Sequence, residues 1–360
     1  MKKKVFFPIL VAVFSIVVIF LIISGVRHCK DPQDNGIFKI ITDMDDRMIE
    51  VPVDPRRIAC MHGVSFERIV ILGKGDRLVL SMKSSPWMQK LYPEVKNLQI
   101  VDPPYTGNIE RMLDLKVDLV LYSPFPGEAD KYKAAGIKNA CGFSAQKRPR
   151  TIEEYSENFK RQINFFGELL GGDAEERAEK YSLYFEKKIS RIRTIISKIK
   201  PEDQPAVYYG GRGGNPLSSQ GKASVMHWNT EISGGNFLTA SMDNNFVDVN
   251  IEQVYAWNPD IILLSGWCSS IDIVMKNPNW ASLRAVKNGR VYLIPEGIFS
   301  WDFASGESVL LMIYMAKLFY PELFKDWNMI DEMHTFYSEI YGKQISDNDA
   351  ERILKHLAPM

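Results

Sequence analysis

Apolar and polar residues form short alternating blocks along the chain, which predict strands and helices in turn. The first two blocks alternate with period two around a polar turn at residues 45–47 and predict a β-hairpin. After the hairpin, apolar runs alternate with helical patterns at 66–72 and 109–115. The strands predicted in this part are residues 38–42, 48–51, 57–61, 78–80 and 117–122. Such alternation builds a parallel sheet with helices on its faces.

The middle of the chain has the clearest helical pattern. Thr151 and Glu154 have the spacing of a capping box, and a helix is predicted from there to Leu170, ahead of two glycines. Asp173 is expected to cap a second helix that ends near Lys200, at a proline. No low-complexity linker interrupts this region, so a helix is expected to join two parts of the protein.

The last part of the chain repeats the alternation of strands and helices. The strands predicted here are residues 206–209, 261–265 and 291–294, and the helices are 307–319 and 346–356. About 330 residues are too many for one small core. We therefore predict an α/β fold with two lobes, each a mainly parallel sheet flanked by helices, joined by one long helix. The predicted segments are 1–30 (signal peptide or membrane anchor), 37–150 (first lobe), 151–171 (linking helix) and 172–360 (second lobe).

The amino terminus has the pattern of an export signal. Three lysines precede an apolar run from Val5 to Val26, which would span roughly 33 Å as a helix. The run is longer than the usual core of a cleaved signal, and no small-x-small cleavage site follows it. Cys29 does not follow a small residue, so lipidation there is not expected. We expect an uncleaved membrane anchor, with a cleaved signal peptide as the alternative.

Charge and composition exclude some classes of function. The 44 basic and 44 acidic residues balance, and because residues 1–30 hold five basic residues and no acid, the rest has 39 against 44. This balance argues against a nucleic-acid partner. The four cysteines, at 29, 60, 141 and 268, form no CxxC motif, and the last three are expected as buried thiols, with a disulfide as the alternative. The five histidines show no HxxxH pairing, so no metal site built by protein ligands is predicted.

Two segments that are far apart in the chain have a similar sequence pattern. Residues 63–73 and 248–260 each place a short polar cap just before a glutamate in the first turn of a predicted helix, and these glutamates are Glu67 and Glu252. An acid at this position stabilises the helix dipole by about 0.3–1 kcal/mol, which is the simpler interpretation of each one.

The chain also resembles a known family over residues 38–325. The resemblance is to the ABC-importer binding proteins for iron-siderophores, haem and cobalamin, and it depends on the order and spacing of several short motifs. These are Ile41-Thr42-Asp43-Met44-Asp45-Asp46-Arg47, Leu115-Lys116-Val117-Asp118-Leu119-Val120, Trp257-Asn258-Pro259-Asp260-Ile261-Ile262 and Ala285-Val286-Lys287-Asn288-Gly289-Arg290-Val291.

The resemblance implies a function and a set of partners. It implies an extracytoplasmic, monomeric binding protein, with its ligand between two lobes, that delivers to a permease and ATPase complex. It also implies that Glu67 and Glu252 dock onto arginines of the permease, where paired carboxylates would suit guanidinium groups. The chain shows no nucleophile elbow and no clustered carboxylate pair, so no enzyme activity is predicted.

The expected ligand contacts lie on loops after the predicted strands. They are His62, Trp87, Tyr105, Tyr122, Arg212, Trp267 and Trp301. Arg212 stands in a glycine-rich loop that could meet an anionic chelate; a phosphate loop is disfavoured because GxxxxGK is absent. His62 and His227 are each either structural or in contact with ligand. We expect a ferric siderophore as ligand and no covalently bound cofactor. The alternatives are a haem, corrinoid or nickel-chelate binding protein, or a sensor of such ligands.

Overall fold

The computed structural model describes residues 37–102, 106–122, 124–143 and 148–360. The predicted anchor at residues 1–30 and the predicted ligand contact Tyr105 lie outside these ranges. Within them, no helix is both long enough and apolar enough to cross a bilayer.

The described chain begins with the predicted hairpin. Strand β1 (Phe38–Thr42) pairs antiparallel with β2 (Met48–Pro52). The buried Asp43 carboxylate accepts the backbone N–H of Arg47 at 3.0 Å and closes the turn between the strands.

The first lobe contains a five-stranded parallel sheet. Its strands are β3 (Ile58–Cys60), β4 (Leu78–Ser81), β5 (Gln99–Ile100), β6 (Leu119–Tyr122) and β7 (Asn139–Cys141), in the order β5-β4-β3-β6-β7. Its helices are α1 (Gly63–Ile71), α2 (Pro86–Leu91), α3 (Ile109–Asp114) and α4 (Glu128–Ala134), with 3-10 turns at Gly75–Arg77 and Pro93–Asn97. The predicted strands and helices are therefore present, although α1 begins three residues earlier than predicted.

Two long helices follow the first lobe. Helix α5 (Ile152–Leu170) begins at its predicted cap, where the Thr151 hydroxyl accepts the N–H of Glu154 at 3.1 Å. Helix α6 (Asp173–Ile196) packs beside it, with the rings of Phe159 and Phe185 stacked 4.5 Å apart. Two details of the prediction were wrong. Asp173 is the first residue of α6 rather than its cap, because Gly172 occupies the cap position, and the helix ends before Lys200.

The second lobe contains a four-stranded parallel sheet and a small antiparallel ribbon. The sheet strands are β8 (Ala206–Gly210), β10 (Asn236–Phe237), β12 (Ile261–Leu264) and β13 (Val291–Leu293), in the order β10-β8-β12-β13. The ribbon pairs β9 (Ser218–Gln220) with β11 (Phe246–Asp248). The helices are α7 (Val225–Ile232), α8 (Ile251–Trp257), α9 (Asp272–Met275), α10 (Arg284–Lys287), α11 (Ser308–Phe319), α12 (Met329–Glu339) and α13 (Asp347–Leu354). Short 3-10 turns lie at Pro201–Asp203, Arg212–Gly214 and Pro278–Trp280.

The core follows from the strand sequences, which are apolar at every position of β6 and β12 and are buried on both faces. The thiols of Cys60, Cys141 and Cys268 are buried and free, as the cysteine spacing suggested. Burial raises the pKa of the Cys60 thiol to about 12, so it stays protonated and inert.

The strand order fixes where a ligand can sit. In each sheet the chain crosses from one side to the other between two adjacent strands, β3 and β6 in the first lobe and β8 and β12 in the second. In open α/β sheets, ligands bind beyond the carboxyl ends of the strands at such points. His62 follows β3, Arg212 follows β8 and Trp267 follows β12, so all three lie near the predicted binding edges.

Candidate functional site

A front cavity of about 410 Å³ lies between the two lobes. From the first lobe, His62 and the start of α1 line it, together with Lys83 and its neighbours after β4. From the second lobe, it is lined by Trp267 after β12 and by Phe299 and Phe303 on the segment after β13. The Trp267 and Phe303 rings stack with centroids 5.5 Å apart and form one flat wall.

A rear cavity of about 400 Å³ lies beside the linking helix α5. Phe143 and Arg148 line it from the first lobe, and Tyr155 and Phe159 line it from α5 itself. Phe246, at the start of β11, closes it from the second lobe. Aromatic walls with a few cations give both cavities the composition of a small-molecule site.

His62 lines the front cavity and also begins a helix. Its Nδ1 lies 3.4 Å from the Ser65 amide, which it accepts as the N-cap of α1, and its ring lies 5.4 Å from that of Phe143. Burial, followed by the nearby charge of Arg68, lowers the pKa of His62 to about 4. The imidazole is therefore neutral at physiological pH, and because Nδ1 accepts the Ser65 amide, Nε2 carries the proton and can donate a hydrogen bond.

Three cations border the cleft without a carboxylate partner among the described residues. The guanidinium of Arg212 lies 4.0 Å over the ring of Phe246, which orients it beside the rear cavity. Arg148 donates to the backbone carbonyl of Asp243 at 2.7 Å, and Lys83 is exposed at the front cavity. The acidic residue at the front cavity is Glu296, whose carboxylate pairs with the imidazole of His356 at 3.1 Å. The front cavity therefore balances one cation against one acid, whereas the described lining of the rear cavity carries arginines and no acid.

Three of the predicted ligand contacts are held in the protein interior. Trp87 is only 2% exposed and donates its indole N–H to the carbonyl of Leu357 at 2.9 Å, and Trp301 is fully buried. Tyr122 is 3% exposed, with the guanidinium of Arg47 over its ring. These rings pack within the lobes and present no surface to a ligand, so the prediction was wrong for them. His62 and Trp267 line the front cavity, and Arg212 lies over the ring of Phe246 at the rear cavity, so contact of these three with a ligand stays a prediction.

Glu67 does not lie on the surface. It is fully buried, and its carboxylate accepts the Gly306 amide at 2.7 Å, the Tyr341 hydroxyl at 3.1 Å and the Arg68 guanidinium at 2.6 Å. In this arrangement it cannot reach another protein, so its predicted docking role was wrong. The error came from the start of α1: because the helix begins at Gly63, Glu67 lies a turn deeper than predicted and faces the second lobe.

The true match to Glu252 is Glu110. Residues 108–110 and 250–252 both read Asn-Ile-Glu, and both begin a short helix. The Asn108 side chain accepts the amide three residues on at 3.0 Å, and Asn250 does the same at 2.8 Å. Glu110 and Glu252 are both exposed in the first turn, and neither has an ion-pair partner within the described residues.

The equivalence continues into the strands that follow these helices. Asp118 donates its amide to the Arg57 carbonyl at 3.0 Å and accepts the Arg57 amide at 3.1 Å. Asp260 makes the same pair of bonds with Ala206, at 2.8 and 2.9 Å. Each aspartate thus fastens its strand to the start of the neighbouring central strand, and the two helices hold the same place in the two lobes.

Sequence reasoning missed other residues around the cleft. These are Lys83, Phe143, Arg148, Tyr155, Phe159, Phe246, Phe299 and Phe303. The sequence holds no local signal for these residues. It does hold one for Glu110, because the Asn-Ile-Glu repeat and the aspartate eight residues after each glutamate are visible in it.

The family model for periplasmic binding proteins matches residues 58–297. The molybdate-binding protein MolA of Haemophilus influenzae is 23% identical over 337 residues, which cover 87% of this chain and 94% of MolA. The Fe(3+)-citrate-binding protein YfmC of Bacillus subtilis is 22% identical over 302 residues, covering 79% of this chain and 88% of YfmC.

Solved structures share the fold. MolA bound to molybdate superposes with a TM-score of 0.75 at 21% identity, covering 86% of this chain and 99% of that one. A periplasmic solute binding protein from Veillonella parvula gives a TM-score of 0.72 at 24% identity, covering 88% and 97%. Identities this low establish the shared fold and not a shared ligand.

The chain belongs to the periplasmic binding protein family. It is a two-lobed substrate-binding protein of the kind that serves ABC importers, as the sequence resemblance implied.

Proposed function

We propose that this protein captures an anionic, metal-bearing ligand in the cleft between its lobes and delivers it to an ABC permease and its ATPase. A ferric chelate such as a siderophore or ferric citrate is the first candidate. The observation that supports this is the positive charge of Lys83, Arg148 and Arg212 at the cleft, which has no carboxylate partner among the residues that the structure describes. Cations that lack protein carboxylates are free to meet the negative groups of a chelate.

The size and lining of the cleft also bear on the ligand. Two cavities of about 400 Å³ with aromatic walls suit a compact chelate better than a corrinoid. A neutral His62 at the front cavity could donate a hydrogen bond to the chelate. A metal oxyanion is the second candidate, which the similarity to MolA along most of the chain favours.

For docking, we propose that Glu110 and Glu252 are the two carboxylates that address the permease. Both are exposed, lack ion-pair partners in the described part of the chain, and occupy equivalent helices of the two lobes. A pair of carboxylates held on rigid elements at a fixed separation suits recognition by guanidinium groups. The protein would then act at the outer face of the cytoplasmic membrane. An uncleaved anchor in residues 1–30 would tether it there.

Fluorescence titration tests the choice of ligand. Trp267 is 54% exposed and stacks on Phe303 in the cleft wall, so its emission should report a bound chelate. The protein is titrated with ferric citrate, ferric siderophores, molybdate, haem and cobalamin. We expect submicromolar binding of at least one anionic metal species, and the Trp267→Phe variant should lose most of the signal. Binding of cobalamin alone, or of none of the anionic species, would overturn the proposal.

A further inference from the structure

The carboxylate of Glu67 joins the two walls of the cleft. Glu67 belongs to α1, whose first residues line the front cavity. Its Oε1 accepts the amide of Gly306 in the second lobe at 2.7 Å and the hydroxyl of Tyr341, just after α12, at 3.1 Å. One buried oxygen thus holds two separate segments of the second lobe against a helix of the first.

Arg68 extends this junction to the rear cavity. Its Nη1 donates to the other oxygen of Glu67 at 2.6 Å, and its Nη2 donates to the carbonyl of Ala304 at 2.7 Å. The guanidinium lies 5.0 Å over the ring of Phe159 on the linking helix. Because Ala304 and Phe159 line the rear cavity, the ion pair lies directly behind its wall.

The segment between Phe299 and Gly306 is the wall that depends on these bonds. Phe299 and Phe303 face the front cavity, and Gly306 ends the segment on Glu67. The approach at Gly306 is close: a Cβ atom there would lie 2.7 Å from Glu67 Oε1 and 2.5 Å from the Tyr341 hydroxyl. Only glycine allows the backbone to come so near the carboxylate.

The first residue of α1 also contacts this segment, at its other end. A Cβ atom at Gly63, the first residue of α1, would lie 2.9 Å from the ring of Phe299. Gly63 and Glu67 are one helical turn apart, so α1 contacts the 299–306 segment at both of its ends. The width of the front cavity is therefore set by how firmly this segment is held on α1.

We infer that Glu67 is a positioning residue that fixes the 299–306 segment against α1 and thereby sets the width of the ligand cleft. The inference rests on the proposed function in taking the cleft as the ligand site. Without the carboxylate, the Gly306 amide and the Tyr341 hydroxyl lose their acceptor and Arg68 loses its counter-charge, so the segment is free to move away from α1.

Hydrogen exchange of the full chain without ligand tests the positioning itself. In Glu67→Ala we expect exchange of the amides in residues 299–306 to increase more than exchange in β3 and β12, which reports the loss of global stability. Glu332→Ala is the matched control, because Glu332 is also buried and paired with a lysine, Lys188, but lies in α12 away from the cleft. Unchanged exchange of the 299–306 segment in Glu67→Ala would overturn the inference.

Binding of ferric citrate and molybdate provides the second readout. If the wall keeps its aligned position only a tenth of the time, the dissociation constant rises about tenfold. Glu67→Gln should bind nearly as the wild type does, because its amide oxygen still accepts the Gly306 and Tyr341 bonds, yet it should be less stable because Arg68 is left unpaired. Glu332→Ala should lose stability and keep its affinity. Equal affinity in folded Glu67→Ala and wild type would count against the inference.

A milder variant guards against misfolding. Tyr341→Phe removes one hydrogen bond to Glu67 and leaves the packing of the ring. We expect a smaller rise in exchange of residues 299–306, and no rise would argue against the inference. If the wild type binds neither ferric citrate nor molybdate, the proposed ligand is wrong, whereas the exchange comparison still decides the role of Glu67.

Discussion

The amide of Gly306 donates a hydrogen bond of 2.7 Å to the carboxylate of Glu67, across 239 residues of sequence and from one lobe to the other. This contact between the lobes buries Glu67, although its place near the start of a helix is typical of an exposed glutamate. It distinguishes Glu67 from Glu252, which also lies near the start of a helix but is exposed to solvent.

This difference predicts effects of very different size on the free energy of unfolding. Glu67→Ala should lower the free energy of unfolding by about 3–5 kcal/mol, because it leaves a buried guanidinium without its counter-charge. Glu252→Ala should change it by less than about 0.5 kcal/mol, as an exposed substitution does. Denaturant titration followed by circular dichroism measures both, and equal effects of the two substitutions would contradict the burial of Glu67.

Docking is predicted to depend on Glu110 and Glu252 together. The double variant Glu110→Ala/Glu252→Ala should keep its affinity for the chelate and lose most of the uptake through the transporter, since only the contact with the permease is removed. Uptake of the radiolabelled chelate into cells that lack the native protein measures this effect. The control is Glu176→Ala/Glu179→Ala, which removes two exposed acids from α6. Uptake that survives the first double variant would exclude the docking role.

The cations of the cleft are predicted to determine affinity. Arg148→Ala or Arg212→Ala should each weaken binding of ferric citrate by about tenfold, or about 1.4 kcal/mol, because each removes a charge-assisted contact. The loss should be greater at low than at high ionic strength. Calorimetric titration measures it, with Lys180→Ala on the exposed side of α6 as the control. An affinity that does not change in either arginine variant would exclude an anionic ligand at these positions.

Stability is predicted to fall as pH rises, through Glu307. Burial, with a further contribution from the charge of Glu67, raises the pKa of Glu307 from 4.5 to about 8. Between these two pH values the folded state binds a proton that the unfolded state has lost, so this stabilisation is complete below about pH 4.5 and is lost by about pH 8.

The variant Glu307→Gln isolates that contribution. It should flatten the dependence on pH by an amount on the order of a few kcal/mol across this range, because the amide does not titrate. Thermal unfolding at a series of pH values measures the slope, with the exposed Glu322→Gln as the control. If wild type and Glu307→Gln have the same slope, Glu307 is already ionised in the folded protein.

Local sequence signals predicted the strands and helices, but they did not predict the contacts between residues that are far apart in the sequence. The hairpin, the α5 cap at Thr151 and the strands of both sheets follow from period, capping residues and apolar runs, which act over a few residues. Trp87 looked like a loop aromatic because the partner of its indole, the carbonyl of Leu357, is 270 residues away. The walls of the cleft, including Phe246 and Phe299, come together only through the packing of the two lobes.

The matched helices α3 and α8, each followed by an aspartate that fastens its strand to a central strand, have a geometric consequence. They present one exposed carboxylate each, Glu110 and Glu252, at equivalent places in the two lobes. A transporter with twofold symmetry would accept this pair in either of two opposite orientations. The choice between them must then come from parts without a counterpart in the other lobe, such as the β1–β2 hairpin, which only the first lobe carries.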